Sequence, residues 1–253
     1  MWRQYFSRLG KILETVENNE GPKIEKAAQL IFQALRRGRL VYVFGTGHSH
    51  ILAEEMFYRA GGLVSIYPIL ETSLMLHESA ARSSKLERLP NLASLILERY
   101  PLKEDDIMIV ASNSGVNAVP VEAAIRARNL GARVICITSL AHSSSVAPRN
   151  PSKKRLFEVS DVVIDNHIPI GDGLLEISDT KVAPASTAVG VTILNSIVGQ
   201  VAWLYSNVNE PPPVFCSANT ENGDLENSEL IQMYRKIRSE ERRVGKECRS
   251  RGS

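Results

Sequence analysis

The sequence predicts an α/β domain built on a parallel sheet covered by helices on both faces. Three observations predict it. Short runs of β-branched and aliphatic residues recur along the chain, and most are apolar on every position, as strands buried on both faces must be. Helical periodicity separates these runs. Polar, glycine-containing loops follow the first and third runs directly, where the ends of parallel strands would lie.

Residues 2–18 and 22–37 place Phe6, Leu9, Ile12, Leu13, Val16 and then Ile24, Ala27, Ala28, Ile31, Leu35 at helical spacing. Gly21-Pro22 divides them into two predicted helices, with proline suited to a helix start. Leu40–Phe44 is the first strand, ended by Gly45. A helix over 49–60 stops at Gly61-Gly62, and Leu63–Tyr67 is the second strand. Residues 72–100 read as helical or irregular, broken by Pro90. Ile107–Ala111 is the third strand, Val119–Leu130 a helix stopped by Gly131, Val134–Thr138 the fourth strand and Val162–Asp165 the fifth. The stretch 140–160, with Ser143-Ser144-Ser145, Pro148 and Pro151, reads as a surface loop. Gly171-Asp172-Gly173 is a turn by composition, and Glu176 and Asp179 in the same segment read as solvated surface in preference to closing over a ligand or pairing with Lys181. Ser186–Ser206 is a long apolar helix, and Pro211-Pro212-Pro213 is a stiff connector to a last helix near 224–237. The expected organisation is one domain over 1–237. Helices at 1–37 precede a core at 38–208, and a proline-rich connector with a helix follows at 209–237.

Residues 238–253 hold one aliphatic residue, Val244, against six Lys/Arg and three Asp/Glu. Such a stretch buries no face. It resembles a translated sequencing-adapter read-through and is set aside as a non-native tail. Its charges supply the small excess in the whole chain's +2. The remainder is near neutral, which offers no general field for nucleic acid. Three cysteines without CxxC spacing fit a reducing compartment. No apolar run of bilayer length (about 20 residues) and no signal-peptide pattern occurs. The expectation is a cytoplasmic protein with no membrane or nucleic-acid partner.

Ligands of open parallel sheets bind beyond the carboxyl ends of the strands. The first such loop is Gly45-Thr46-Gly47-His48-Ser49-His50. The third glycine of a dinucleotide fingerprint would fall on His50, and no acidic residue closes the second strand, which argues against a dehydrogenase. The second is Ser112-Asn113-Ser114-Gly115-Val116-Asn117, ahead of a helix with Pro120 in its first turn. Hydroxyls, amides and backbone N–H groups without negative charge suit a phosphate held at a helix start. Thr138-Ser139 ends the fourth strand, and Ser186-Thr187 opens the long helix. His48 and His50 have His-x-His spacing that could take a metal with His77 or Glu78; hydrogen bonding or helix capping is the preferred reading. His167 sits beside a strand edge. Gly-x-Ser-x-Gly is absent and no cysteine has a nearby histidine, so nucleophilic hydrolysis lacks support.

Strand-Gly-Thr-Gly-His-Ser, strand-Ser-Asn-Ser-Gly and strand-Ile-Thr-Ser, in this order, resemble the signatures of the SIS (sugar isomerase) domain family over about residues 20–208. The subgroup resembled is that of isomerase-like proteins related to phosphoheptose isomerase. The resemblance implies a flavodoxin-like three-layer αβα sandwich, a phosphorylated sugar as ligand, no cofactor, and homodimers or homotetramers with sites near subunit interfaces. It implies that Ser112, Ser114 and Asn117 bind phosphate with the backbone of Asn113 and Gly115. Gly45, Thr46, Gly47, His48 and Ser49 would line the sugar, Thr138 and Ser139 would border it, and Ser186 and Thr187 would close the site. Isomerisation needs a base. Glu55 stands where phosphoheptose isomerases carry a histidine metal ligand, and Arg59 where they carry a glutamate. This departure argues against an inherited zinc site. It leaves Glu55 as the candidate base, with His77 reaching a neighbouring subunit. Two readings follow: a sugar-phosphate isomerase, or a non-catalytic phosphosugar-binding module of the kind found in regulators. The surplus apolar helices at 2–37 independently predict an oligomer.

Overall fold

The computed structural model describes residues 1–217 and 223–234. The expected tail, 238–253, lies outside the described residues. Five parallel strands form one sheet: β1 (Val41–Gly45), β2 (Ile66–Ile69), β3 (Ile107–Ala111), β4 (Arg133–Thr138) and β5 (Val162–Asp165), in the order β2-β1-β3-β4-β5. The pairing is in register, with Val41 opposite both Ile66 and Ile107, and Ile107 opposite Arg133. Alternation along each strand explains the two-sided apolar pattern. On one face Val41, Val43, Ile107, Ile109 and Ile135 join the helices α1 (Trp2–Arg36), α2 (Ile51–Met56) and α7 (Ser186–Asn207). On the other, Tyr42, Phe44, Met108, Val110 and Cys136 meet α4 (Leu92–Leu97) and α5 (Ala118–Asn129). This is the αβα sandwich that the sequence predicts, with the flavodoxin-like strand order. Two short helices, α3 (Ala80–Leu86) and α6 (Leu140–Ser145), complete the core. A final helix α8 spans 223–234 and buries Tyr234 on the α5 side.

Three local expectations are corrected. The N-terminal segment is one helix of 35 residues that runs through Gly21-Pro22. Proline removes one helical hydrogen bond, but packing on both sides of it outweighs that loss. Val16, Glu20, Ala27, Ala28 and Ile31 are all buried along one line. The stretch 140–160 is not a plain loop: α6 opens it, with Ser139 capping at the His142 N–H (3.1 Å), and a 3-10 turn at Leu156–Val159 buries Leu156 and Val159. The segment read as a turn and solvated surface carries an antiparallel hairpin, β6 (Gly173–Ile177) and β7 (Thr180–Pro184), standing apart from the main sheet. Its turn residues Ser178 and Asp179 both have positive φ, as a two-residue hairpin turn requires.

Among the described residues α7 is long and apolar enough to cross a membrane. Its buried line of Val189, Ile193, Ile197 and Val201 instead forms part of the domain core, and Thr192, Asn195 and Ser196 lie on its exposed side.

Candidate functional site

The strand order reverses between β1 and β3, so their terminal loops diverge and leave a crevice at the carboxyl edge. The two loops singled out in the sequence flank it. Ser49, Leu52, Ala111, Ser112, Asn113, Ile137, Asn166, Ser186 and Thr187 enclose a cavity of about 20 Å3 there. That volume holds a water molecule.

Within the second loop, Ser112 Oγ accepts from the Gly115 N–H at 3.2 Å, which turns the chain back on itself. Gly115 has φ +60, and its open side faces Thr138 Oγ1 and Ser143 Oγ, which would lie 2.9 and 3.2 Å from an added Cβ. The hydroxyl of Ser114 and the N–H groups of Asn113 and Ser114 have no acceptor among the described residues. The helix start itself is less available than its position predicts. The Val119 N–H is bonded to the Glu87 carbonyl (3.0 Å) and Pro120 has no N–H.

Several predicted residues are committed to the scaffold. Thr138 Oγ1 donates to the Asn113 carbonyl (3.3 Å), and Ser139 Oγ to the Ile168 carbonyl (2.6 Å). Both are fully buried beneath the loops. Ser186 Oγ donates to Asp172 (2.6 Å), whose carboxylate also accepts the Ala185 and Ser186 N–H groups. Asp172 thus sits as an internal anion on the α7 N-terminus, while Thr187 stays open on the cavity wall. The His50 ring is turned to the Gly47 carbonyl and lies 3.6 Å from Glu54; His48 is exposed.

Neither of the expected catalytic residues, Glu55 and His77, is among the residues that line the cavity. Glu55 is bonded to Arg59 and to Asn195 Nδ2 (3.1 Å) on α7. Asn195 lies two helical turns, about 12 Å, beyond Thr187. His77 is exposed.

Sequence reasoning missed two residues. Asn166, nearly fully buried, donates from Nδ2 to Asn113 Oδ1 at 3.0 Å and fixes the loop against β5. Glu87, just past α3, accepts from Thr46 Oγ1 (2.9 Å) with one carboxylate oxygen and from Asn117 Nδ2 (2.8 Å) with the other. It ties the β1 loop to the β3 loop. Burial pushes its carboxyl above the ordinary 4.5, against the lowering pull of the Thr46 hydroxyl, Arg88 and Arg149. The folded protein therefore holds this proton more tightly than the unfolded chain. The associated stability is present below the ordinary pKa and is lost as pH rises through the folded one. Glu87→Gln has no such proton, so its stability relative to wild type should rise as pH climbs from the ordinary carboxylate value of 4.5 through the raised one. A pH-independent difference in urea midpoint would show that Glu87 does not titrate with a raised pKa.

A model of the SIS domain matches residues 4–139. The chain is 44% identical over 237 residues to a UPF0309 protein of Geobacillus sp. (strain WCH70), covering 93% of this chain and 96% of that one. It is 45% identical over 235 residues to a UPF0309 protein of Brucella canis, covering 92% and 95%. Its fold matches a phosphoheptose isomerase from Francisella tularensis with a TM-score of 0.55 at 16% identity, over 79% of this chain and 95% of that one. The Vibrio vulnificus NanR protein, solved in complex with ManNAc-6P, matches at 0.51 and 16% identity, over 81% of this chain and 63% of that one. With the family model spanning more than half the chain and close relatives aligned over nearly all of it, the chain belongs to the SIS domain family.

Proposed function

We propose that this protein binds a phosphorylated sugar at the crevice between the β1 and β3 loops and isomerises it between aldose and ketose forms. One observation carries the reading: Ser114 and the neighbouring N–H groups are uncharged donors with no acceptor among the described residues, in the loop whose Ser112 and Asn113 line the crevice. A phosphate would satisfy them. The fold likeness to a phosphoheptose isomerase and to a protein complexed with ManNAc-6P supports the same ligand class. In this reading Thr46, Ser49 and Thr187 meet the sugar. Glu87 supplies the proton-transfer group, its raised pKa bringing it nearer to the working pH of a general acid–base catalyst.

A second reading, a non-catalytic sugar-phosphate-binding or regulatory module, is favoured by the engagement of Glu55 with Arg59 and Asn195. A panel of aldose and ketose phosphates in deuterated water separates the two. Deuterium entering the carbon next to the carbonyl marks the isomerase; tight binding without exchange marks the binder. No binding of any member would sink both.

Ser114→Ala should weaken sugar-phosphate binding by about 1–3 kcal/mol, the cost of one hydrogen bond to a charged group. Calorimetry with unchanged affinity would remove Ser114 from the site.

The same proposal places the protein in the cytoplasm as a homodimer or homotetramer. Trp2, Phe6 and Trp203 are 63%, 68% and 55% exposed on α1 and α7, more aromatic surface than water tolerates cheaply. Light scattering should return a multiple of the 28.0 kDa chain mass; a single-chain mass would refute assembly.

A further inference from the structure

A second cavity, of about 400 Å3, lies between the N-terminal part of α1 and the β6–β7 hairpin. It is far larger than the space at the crevice and is separate from it. The turn after β5 divides them: Asn166 borders the crevice, while His167 borders the second cavity. The floor is apolar, with Ile12, Pro169 and Leu174. The rim carries Arg8, Lys11 and Lys181 against one carboxylate, Glu176.

Among the described residues no carboxylate forms an ion pair with Arg8, Lys11 or Lys181. Arg8 donates to the Leu174 carbonyl, and Lys181 Nζ to the Ile170 carbonyl at 2.7 Å. Each bond uses one donor of several and leaves the charge unpaired. Lys181 lies directly opposite Glu176 across the hairpin, yet it bonds the carbonyl rather than the carboxylate. Arg8, Lys11 and Lys181 are all exposed at the rim, with Arg8 and Lys181 each bonded to a backbone carbonyl. His167 is held from behind by Glu20 (3.1 Å) and Asp165 (3.6 Å).

We propose that this cavity is a second ligand site, for a small phosphomonoester with a compact apolar body. The rim's excess of cations over carboxylates equals the charge of a phosphate dianion. The apolar floor accepts the rest of the molecule, and the volume falls in the range of small-molecule pockets. The inference stands on residues outside the crevice and does not depend on the sugar-phosphate reading.

Phenyl phosphate is the probe, titrated by calorimetry into the full chain in its native assembly, with inorganic phosphate as the control that lacks a body. Binding in the low millimolar range or tighter is expected, with inorganic phosphate weaker. Lys11→Glu, an exposed helix position, should weaken phenyl phosphate about tenfold, and Lys11→Glu/Lys181→Glu further. Ser114→Ala should leave it unchanged. No binding to the wild type, equal affinity in the lysine variants with unaltered melting, or loss of binding in Ser114→Ala alone would each overturn the proposal. The last result would assign the probe to the crevice, so failure here is distinguishable from failure of the sugar-phosphate reading.

Discussion

Gly45→Ala is expected to destabilise the protein by roughly 3 kcal/mol and to abolish the proposed sugar-phosphate binding. Gly45 ends β1, and the chain turns over it at once into a 3-10 turn at Gly47–His50. An added Cβ would stand 2.9 Å from Ser49 Cβ and closer still to the Ser49 carbonyl. The obstacle is backbone, which cannot swing aside as a long side chain can. Either β1 slips, against its pairing with both β2 and β3, or the loop lifts. Lifting the loop carries Ser49 off the cavity wall and draws Thr46 away from Glu87. Urea unfolding reads the first effect and calorimetry the second. A midpoint and an affinity both equal to wild type would mean that the loop does not need this close approach. Loss of stability with retained affinity would keep the loop argument and remove the loop from the site.

The layered fold was legible because its cause is local. Val41, Val43, Ile107 and Ile109 serve one face and Tyr42, Phe44, Met108 and Val110 the other, so the strands announce two-sided burial by composition alone. The β1 and β3 loops were legible for the same reason, since small polar residues follow strands directly. What escaped was set by partners distant in sequence. Glu87 meets Thr46 and Asn117 across 41 and 30 residues, and nothing in Lys85-Leu86-Glu87-Arg88 marks it off from a solvated helix end. Ser139 and Ser186 look like ligand groups in sequence, yet the Ile168 carbonyl and Asp172 engage them in space. The β6–β7 hairpin turns on Ser178-Asp179, a pair that carries less turn signal than Asn-Gly.

Glu20 is the sharpest case of such a hidden partner, and its removal is the second large effect expected. Asn18-Asn19-Glu20-Gly21-Pro22 reads as a helix break, and a glutamate there would be solvated. Instead Glu20 is 2% exposed. Its Oε2 accepts the Asp165 N–H at 3.0 Å, its Oε1 meets His167 Nε2 at 3.1 Å, and Lys23 Nζ bonds both oxygens. One carboxylate thus joins the middle of α1 to the end of β5, at the point where Pro22 deprives the helix of a hydrogen bond. Glu20→Ala would leave the buried Asp165 N–H without its acceptor and take from the His167 ring one of the two carboxylates beside it. A loss of about 1–3 kcal/mol is expected, the cost of a buried donor left unsatisfied; the Lys23 ammonium, 42% exposed, returns to water. Glu20→Gln keeps one acceptor oxygen for the Asp165 N–H and should lose roughly half of that. The damage should also be local. Asn166 lies next in the chain and braces Asn113, so hydrogen exchange in Glu20→Ala should rise both along α1 and in the 112–117 loop. Wild-type protection in the loop alongside a destabilised α1 would separate the helix anchor from the crevice. A loss below about 1 kcal/mol would remove Glu20 as the anchor altogether, since a solvated surface pair contributes no more than that.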